Sequence, residues 1–493
     1  MTVAALAVLA ACGNNSGTAT APTTAASTVD TTAGPAATTA VGFTPKPIAW
    51  QACAPEGYDC AFLEVPLNYD KPDGTRIKLA VKRKPAEDQA KRIGSLFFNP
   101  GGPGGSGVIA LPRLVDDFAP EVRARFDIVS WDPRGVGGSA PLSCDRGAIE
   151  FYANDLSSTH PGPEADAAAK KWADLCKTSN GDELPYLGTT DVMKDLEVMR
   201  QAVGDEKLTY AGFSYGTLIG LLYADRYPEK TRAIILDGVV DPSLDVKEST
   251  IQQSTAVDDA YERFLAWCKV HPGDGENDCP IAADPEGTIK QVIDQARTDP
   301  LPGKVGTETV ELSTTFVNFA ITTATYDSAI WPQIGHAIKD MTLSDPAGLA
   351  KLANAYIGAA SQSLNAAVNC LDSKAPTGDA FQALVDETAL AAPKLGVYNA
   401  NSVRVCKFWS VPPKPLPTTF RAAGSPPILV WGTTGDNATP YANSVKISGM
   451  LENATLVTLE ASRHAALGAN ECVTKIQATY LIDVKVPPAD TKC

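Results

Sequence analysis

A serine between two glycines, in G-F-S-Y-G at 212–216, is preceded by the apolar run K-L-T-Y-A and followed by T-L-I-G-L-L-Y-A. Strand, sharp turn and helix in that order form the context in which a serine hydroxyl projects above a sheet edge as a nucleophile. Gly212 and Gly216 leave room for the turn and for close approach of strand and helix. A hydroxyl attacks a carbonyl well only when a base takes its proton and an acid orients that base. Behind such a turn the partners follow in chain order Ser, Asp, His.

The chain has four histidines. His464 lies near the C-terminal end, past the apolar L-V-T-L, where a loop can hang an imidazole over Ser214. His160 sits beside Pro161 before the serine, His271 in the polar C-K-V-H-P-G-D-G, and His336 after W-P-Q-I-G at a helix start. These three read as loop, cap or pocket residues. For the acid, G-T-T-G-D places Asp436 in a loop directly after the strand-like P-P-I-L-V-W, and Asp237, ending A-I-I-L-D, is the rival. The tetrahedral oxyanion needs preorganised N–H donors. One is the backbone N–H of Tyr215. The other is assigned to Gly102 in S-L-F-F-N-P-G-G-P-G-G-S-G at 95–107, with Gly101 and Gly104 as alternatives.

The same loop also satisfies a dinucleotide pattern, with Gly102, Gly104 and Gly107 after a strand and Asp132 ending the next one. Pro103 removes an N–H that a pyrophosphate would use, and Asp132 runs into a second glycine turn. That reading also leaves Ser214, Asp436 and His464 unexplained, so the hydrolytic one is preferred. The patterns H-E-x-x-H, C-x-x-C and the P-loop do not occur, so neither a metal nor a cofactor is inferred. Among 493 residues the formal charge is −15, with no basic patch to attract nucleic acid.

Alternation of strands and helices positions these groups. Strand-like runs are A-F-L-E-V, R-I-K-L-A-V-K, G-S-L-F-F-N, F-D-I-V-S-W, K-L-T-Y-A and R-A-I-I-L, returning at 426–432 and 455–460. Residues 189–203 read as a helix with Val192, Leu196, Met199 and Val203 on one face and Thr190 as N-cap. The expectation is an α/β fold with a mostly parallel sheet and helices on both faces. Its core occupies 43–242 and 405–493, and a helical cap at 243–404 is inserted between them. At the N-terminus an apolar run ends in L-A-A-C, a lipobox-like sequence in which Cys12 is lipidated and 1–12 is a leader. The absent basic segment points to a start upstream of Met1. Residues 13–42, rich in Thr, Ala, Gly, Ser and Pro, read as a flexible tether. The remaining ten cysteines suit five disulfides in an exported protein. Neighbour pairing gives Cys53–Cys60, Cys144–Cys176, Cys268–Cys279, Cys370–Cys406 and Cys472–Cys493, although spacing alone does not fix connectivity.

The runs N-P-G-G-P-G-G-S-G at 99–107, W-D-P-R-G-V-G-G-S at 131–139, G-F-S-Y-G at 212–216, G-T-T-G-D-N-A-T-P at 432–440 and R-H-A with Cys472 together resemble the tripeptidyl aminopeptidase branch of the α/β-hydrolases, relatives of the prolyl aminopeptidases. The resemblance implies an α/β-hydrolase core with a helical cap, in a secreted or lipid-anchored enzyme that releases short peptides from free N-termini. It implies Ser214, Asp436 and His464 as a triad, Gly102 and Tyr215 as oxyanion donors, and Thr439 shaping the acid loop. It nominates Asp372, in A-V-N-C-L-D, to bind a substrate ammonium. Asn437 stands where proline is usual, Arg463 where glycine is usual, and Asn99-Pro100 where the prolyl branch has His-Gly. A carboxylesterase or lipid esterase on the same scaffold, and an inactive binding lipoprotein, are the alternatives.

Overall fold

A computed structural model describes residues 42–358 and 360–493. Cys12, the leader and nearly all of the tether lie outside the described residues. Nine strands form one sheet: β1 (Gln51–Cys53), β2 (Tyr58–Pro66), β3 (Arg76–Lys84), β4 (Gly94–Asn99), β5 (Phe126–Trp131), β6 (Leu208–Phe213), β7 (Thr231–Asp237), β10 (Ile428–Thr433) and β11 (Ala454–Leu459). A separate hairpin, β8 (Pro302–Val305) and β9 (Glu308–Glu311), lies in the insert. The sheet order is β1-β2-β3-β5-β4-β6-β7-β10-β11. The first three strands and the β3–β5 pair are antiparallel, and every later pairing is parallel. This is the mostly parallel α/β sheet expected from the alternation, in the α/β-hydrolase form that the resemblance implies.

The parallel strands are apolar throughout because helices cover both faces. β5, β6 and β10 are buried at every position. One apolar cluster, around Phe98, Phe126, Phe213 and Trp431, fills one side of the sheet, and a larger one spans the other side and the insert. The Thr189–Ala202 helix buries Val192, Leu196 and Met199 as its periodicity predicts, but it buries Asp195 and Glu197 as well. Those carboxylates are partnered. Arg134 grips both oxygens of Asp195 at 2.7 and 2.6 Å and also donates to the carbonyls of Leu67, Tyr186 and Pro66. Tyr69 adds a third bond to Asp195. Arg134 belongs to W-D-P-R-G, so that motif ties the antiparallel edge to this helix.

Between β7 and β10 runs a long, mainly helical insert. It includes Val246–Val270, Thr314–Thr325, Ala347–Gly358 and Gln362–Asp372. Two helices that the sequence leaves with the core, Asp145–Tyr152 and Pro163–Asn180, pack on the insert. Tyr152 meets Phe319 edge-on at 4.9 Å, and Asp166 pairs with Arg404 and Lys407. All five neighbour disulfides are formed.

Removing Asp195 leaves Arg134 charged and uncompensated in a fully buried site. Asp195→Ala should lower unfolding free energy by about 3–5 kcal/mol, read as a shift in denaturant midpoint at constant slope.

Candidate active site

The strands end in register where the candidate residues emerge. Asn99 pairs with Gly212, Phe213 with Asp237, and Asp237 with Trp431. Ligands of open α/β sheets bind at this carboxyl edge. Ser214 follows β6 with φ +54°, a left-handed conformation that costs a non-glycine residue about 1–3 kcal/mol. The conformation is held by Ser214 N–H donating to the Asp237 carbonyl at 2.9 Å, and by Thr217 donating twice to the Ser214 carbonyl. The flanking glycines are required by contact. A Cβ on Gly212 would lie 2.3 Å from the Gly216 carbonyl oxygen, and one on Gly216 would lie 2.6 Å from that of Asn99.

His464 follows β11 and Asp436 follows β10. The imidazole Nδ1 lies 2.9 Å from both Asp436 oxygens. Asp436 also accepts from the N–H groups of Ala438, Thr439 and Ala465 and from the Thr439 hydroxyl. Thr439 Oγ1 is 3.3 Å from His464 Nδ1, so this threonine touches both members of the pair. With Nδ1 engaged, Nε2 is the free ring nitrogen. Ser214 and His464 both border the Asp237–Gly238 corner of the chain. Ser214 bonds the Asp237 carbonyl, while a Cβ on the next residue, Gly238, would lie 3.3 Å from the His464 ring and 2.9 Å from Thr439. Within the described residues the Ser214 hydroxyl is not hydrogen-bonded to His464; such bonds are often loose before substrate binds.

The rival acid has other work. Asp237 accepts from the N–H groups of Ala466 and Leu467 at 2.7 and 2.9 Å, and burial raises its pKa to about 6. It braces the loop behind His464 rather than the imidazole itself.

The glycine loop after β4 packs directly on the serine turn. A Cβ on Gly101 would lie 2.9 Å from Ser214 Cβ and 3.3 Å from Tyr215 N. Gly101 N–H is consumed by the Asn99 side chain at 2.9 Å, which removes it as a donor. Gly102 has φ +116°, and among the described residues neither its N–H nor that of the buried Tyr215 donates a hydrogen bond. The dinucleotide alternative fails on Asp132. Its oxygens accept from Ser106, Val108 and Gly138 and so close the loop on itself.

His160 and His271 are exposed and His336 is half-buried, the last two bonded to backbone carbonyls. Asp372 has company other than an ammonium site would give it. Both its oxygens accept from the Thr189 N–H, at 3.1 and 3.2 Å, and one from the Thr189 hydroxyl. Burial raises its pKa to about 7 against the lowering effect of those bonds. It thereby caps the Thr189–Ala202 helix. Thr190 is not the N-cap; Gly188 holds that position without a side chain to offer.

Sequence reasoning missed how the insert supports the pair. Arg263 donates to the Ser462 hydroxyl and to the Gly435 carbonyl, both at 3.0 Å, joining the histidine and acid loops. Gln253 donates to the Ala438 carbonyl. Asn437, which replaces the usual proline, is fully buried and donates to Thr325 at 2.6 Å. His464 N–H donates to the Tyr326 carbonyl, and the Tyr326 ring stands edge-on to the imidazole at 5.4 Å. Arg463 donates to the Leu467 carbonyl within its own loop.

Residues 94–274 match the family described as alpha/beta hydrolase fold, and residues 392–493 the family of TAP-like proteins. The chain is 32% identical to serine protease Hip1 of Mycobacterium tuberculosis (strain ATCC 25618 / H37Rv), covering 91% of each chain. It is 31% identical to the tripeptidyl aminopeptidase of Streptomyces lividans, over 90% of this chain and 86% of that one. It is also 31% identical to carboxylesterase B of the same mycobacterium, over 88% and 86%. The chain belongs to the α/β-hydrolases. Within them it is an enzyme of the tripeptidyl aminopeptidase-like group of serine hydrolases.

Burial lowers the pKa of His464, but the charge and hydrogen bond of Asp436 outweigh it and leave it raised. A base works only when neutral, so activity should fall as pH drops through this raised value. The acid limb of kcat/KM is expected to lie higher than for an imidazole without a carboxylate partner. Asp436→Asn should move that limb down and lower kcat by about 10⁴-fold.

Proposed function

We propose that this protein is an exported serine exopeptidase that cleaves short peptides, tripeptides among them, from free N-termini. The carrying observation is the Asp436–His464 pair at 2.9 Å beside a conformationally strained Ser214. His464 Nε2 takes the hydroxyl proton as Ser214 Oγ attacks the scissile carbonyl carbon. The Gly102 and Tyr215 N–H groups receive the oxyanion. As the tetrahedral intermediate collapses, the C–N bond breaks and His464 returns the proton to the leaving amine. Water, activated by the same imidazole, then cleaves the acyl-enzyme and frees the peptide acid and the serine. Asp436, oriented by Thr439, fixes the tautomer and stabilises the imidazolium.

Names borne by two of the relatives, serine protease and tripeptidyl aminopeptidase, support peptide bonds as the target. Five disulfides support an oxidising compartment outside the cytoplasm. The lipobox-like run supports attachment to the membrane surface through lipid on Cys12; among the described residues no helix is long and apolar enough to cross a membrane. We assign 243–404 as the cap and the flanking segments as the core. A carboxylesterase is the second reading, favoured by the similarity to carboxylesterase B.

Hydrolysis of free and N-acetylated tripeptide amides and of short p-nitrophenyl esters separates the two. The expected outcome is turnover of free-amine tripeptides that acetylation abolishes, with Ser214→Ala lowering kcat by about 10⁴-fold or more. Ester turnover without peptide turnover would make the protein an esterase.

A further inference from the structure

The residue after the nucleophile has a side chain held at its far end. The Tyr215 hydroxyl lies 2.8 Å from Thr189 Oγ1, and the Thr189 hydroxyl bonds Asp372. Thr189 and Tyr215 are buried. The direction of the chain follows from donor inventory. An ionised carboxylate only accepts, so above the raised pKa of Asp372 Thr189 gives its single hydroxyl proton to Asp372 and accepts from Tyr215. Asp372 is itself fixed. It ends the Gln362–Asp372 helix, its carbonyl accepts from Leu416 N–H at 3.1 Å, and Cys370 is bridged to Cys406. Gly188 makes the space, since a Cβ there would lie 2.8 Å from the carboxylate.

We propose that Thr189, backed by Asp372, is a positioning residue for the reaction: through the Tyr215 phenol it fixes the attitude of the Tyr215 N–H that receives the oxyanion. This rests on Ser214 as nucleophile and Tyr215 N–H as donor, as proposed above. A donor aimed at developing charge acts only in the transition state, so releasing the phenol changes kcat rather than KM. Asp372 then serves the oxyanion hole from the insert instead of binding a substrate ammonium.

The test compares kcat and KM of the purified protein with Tyr215→Phe, Thr189→Val, Thr189→Ser, Asp372→Asn and the Tyr215→Phe/Thr189→Val double variant. Substrates are the free tripeptide amide, its N-acetyl form and a p-nitrophenyl ester, with melting curves run alongside. Tyr215→Phe and Thr189→Val should each lower kcat about tenfold on every substrate the enzyme turns over, at unchanged KM. The double variant should be no worse than either single change, and Thr189→Ser should retain kcat. Unchanged kcat in Tyr215→Phe and Thr189→Val overturns the proposal. So does an Asp372→Asn effect confined to KM for free-amine peptides, which returns that carboxylate to ammonium binding. Absence of Ser214-dependent turnover in the unsubstituted protein is read separately: it removes the serine hydrolase reading and this proposal with it.

Discussion

The C-terminal end of β7 is the point on which the site depends. Asp237 uses its carbonyl to hold Ser214 N–H and its buried carboxylate to hold the N–H groups of Ala466 and Leu467 in the histidine loop. Gly238 then turns away beneath Thr439 and the imidazole, its N–H on the Trp431 carbonyl. One two-residue corner thus sets the serine turn, the histidine loop and the strand that leads to the acid. The cost of keeping a carboxylate there is visible in its raised pKa, which two backbone donors only partly offset. The strained φ of Ser214 persists because this corner over-determines it.

A second layer of support comes from the insert. Its helices reach both loops that carry Asp436 and His464. Arg263 spans the two, Asn437 and Gln253 tie the acid loop, and Tyr326 and Ser328 pair with the backbone of the histidine loop. From the opposite side, Ser361 N–H and the Asn365 amide bond the glycine loop at Gly104 and Pro103. Backbone and side-chain bonds of this kind preorganise a site before substrate arrives.

Much of the core was legible in the sequence because parallel strands buried on both faces leave unbroken apolar runs. G-S-L-F-F-N and F-D-I-V-S-W coincide with β4 and β5. The hairpin at 302–311 was not legible, since its residues are mostly polar or exposed and short. Loop composition and the family resemblance both favour Asp436 over Asp237; in the structure the two differ in that Asp436 faces the imidazole and Asp237 accepts backbone N–H groups. Thr190 failed as a cap because the acceptor that satisfies this helix end lies 183 residues away in the chain, a partner no local pattern can supply. Arg263 left no signal either. An arginine on a long helix of mixed polarity reads as solvated until the fold brings Ser462 and Gly435 beneath it.

The bonding between insert and catalytic loops bears on how this scaffold can be remodelled. Where a cap touches its core only through a hinge, one family member's cap can be transplanted onto another as a module. Here the boundary runs through the machinery itself. A chimera exchanging 243–404 alone would orphan the Ser462 hydroxyl, the Gly435 and Ala438 carbonyls and the Asn437 amide together. In this chain, then, 435–438 and 462–464 and the helices bonded to them form one interlocked unit, which a change on either side disturbs.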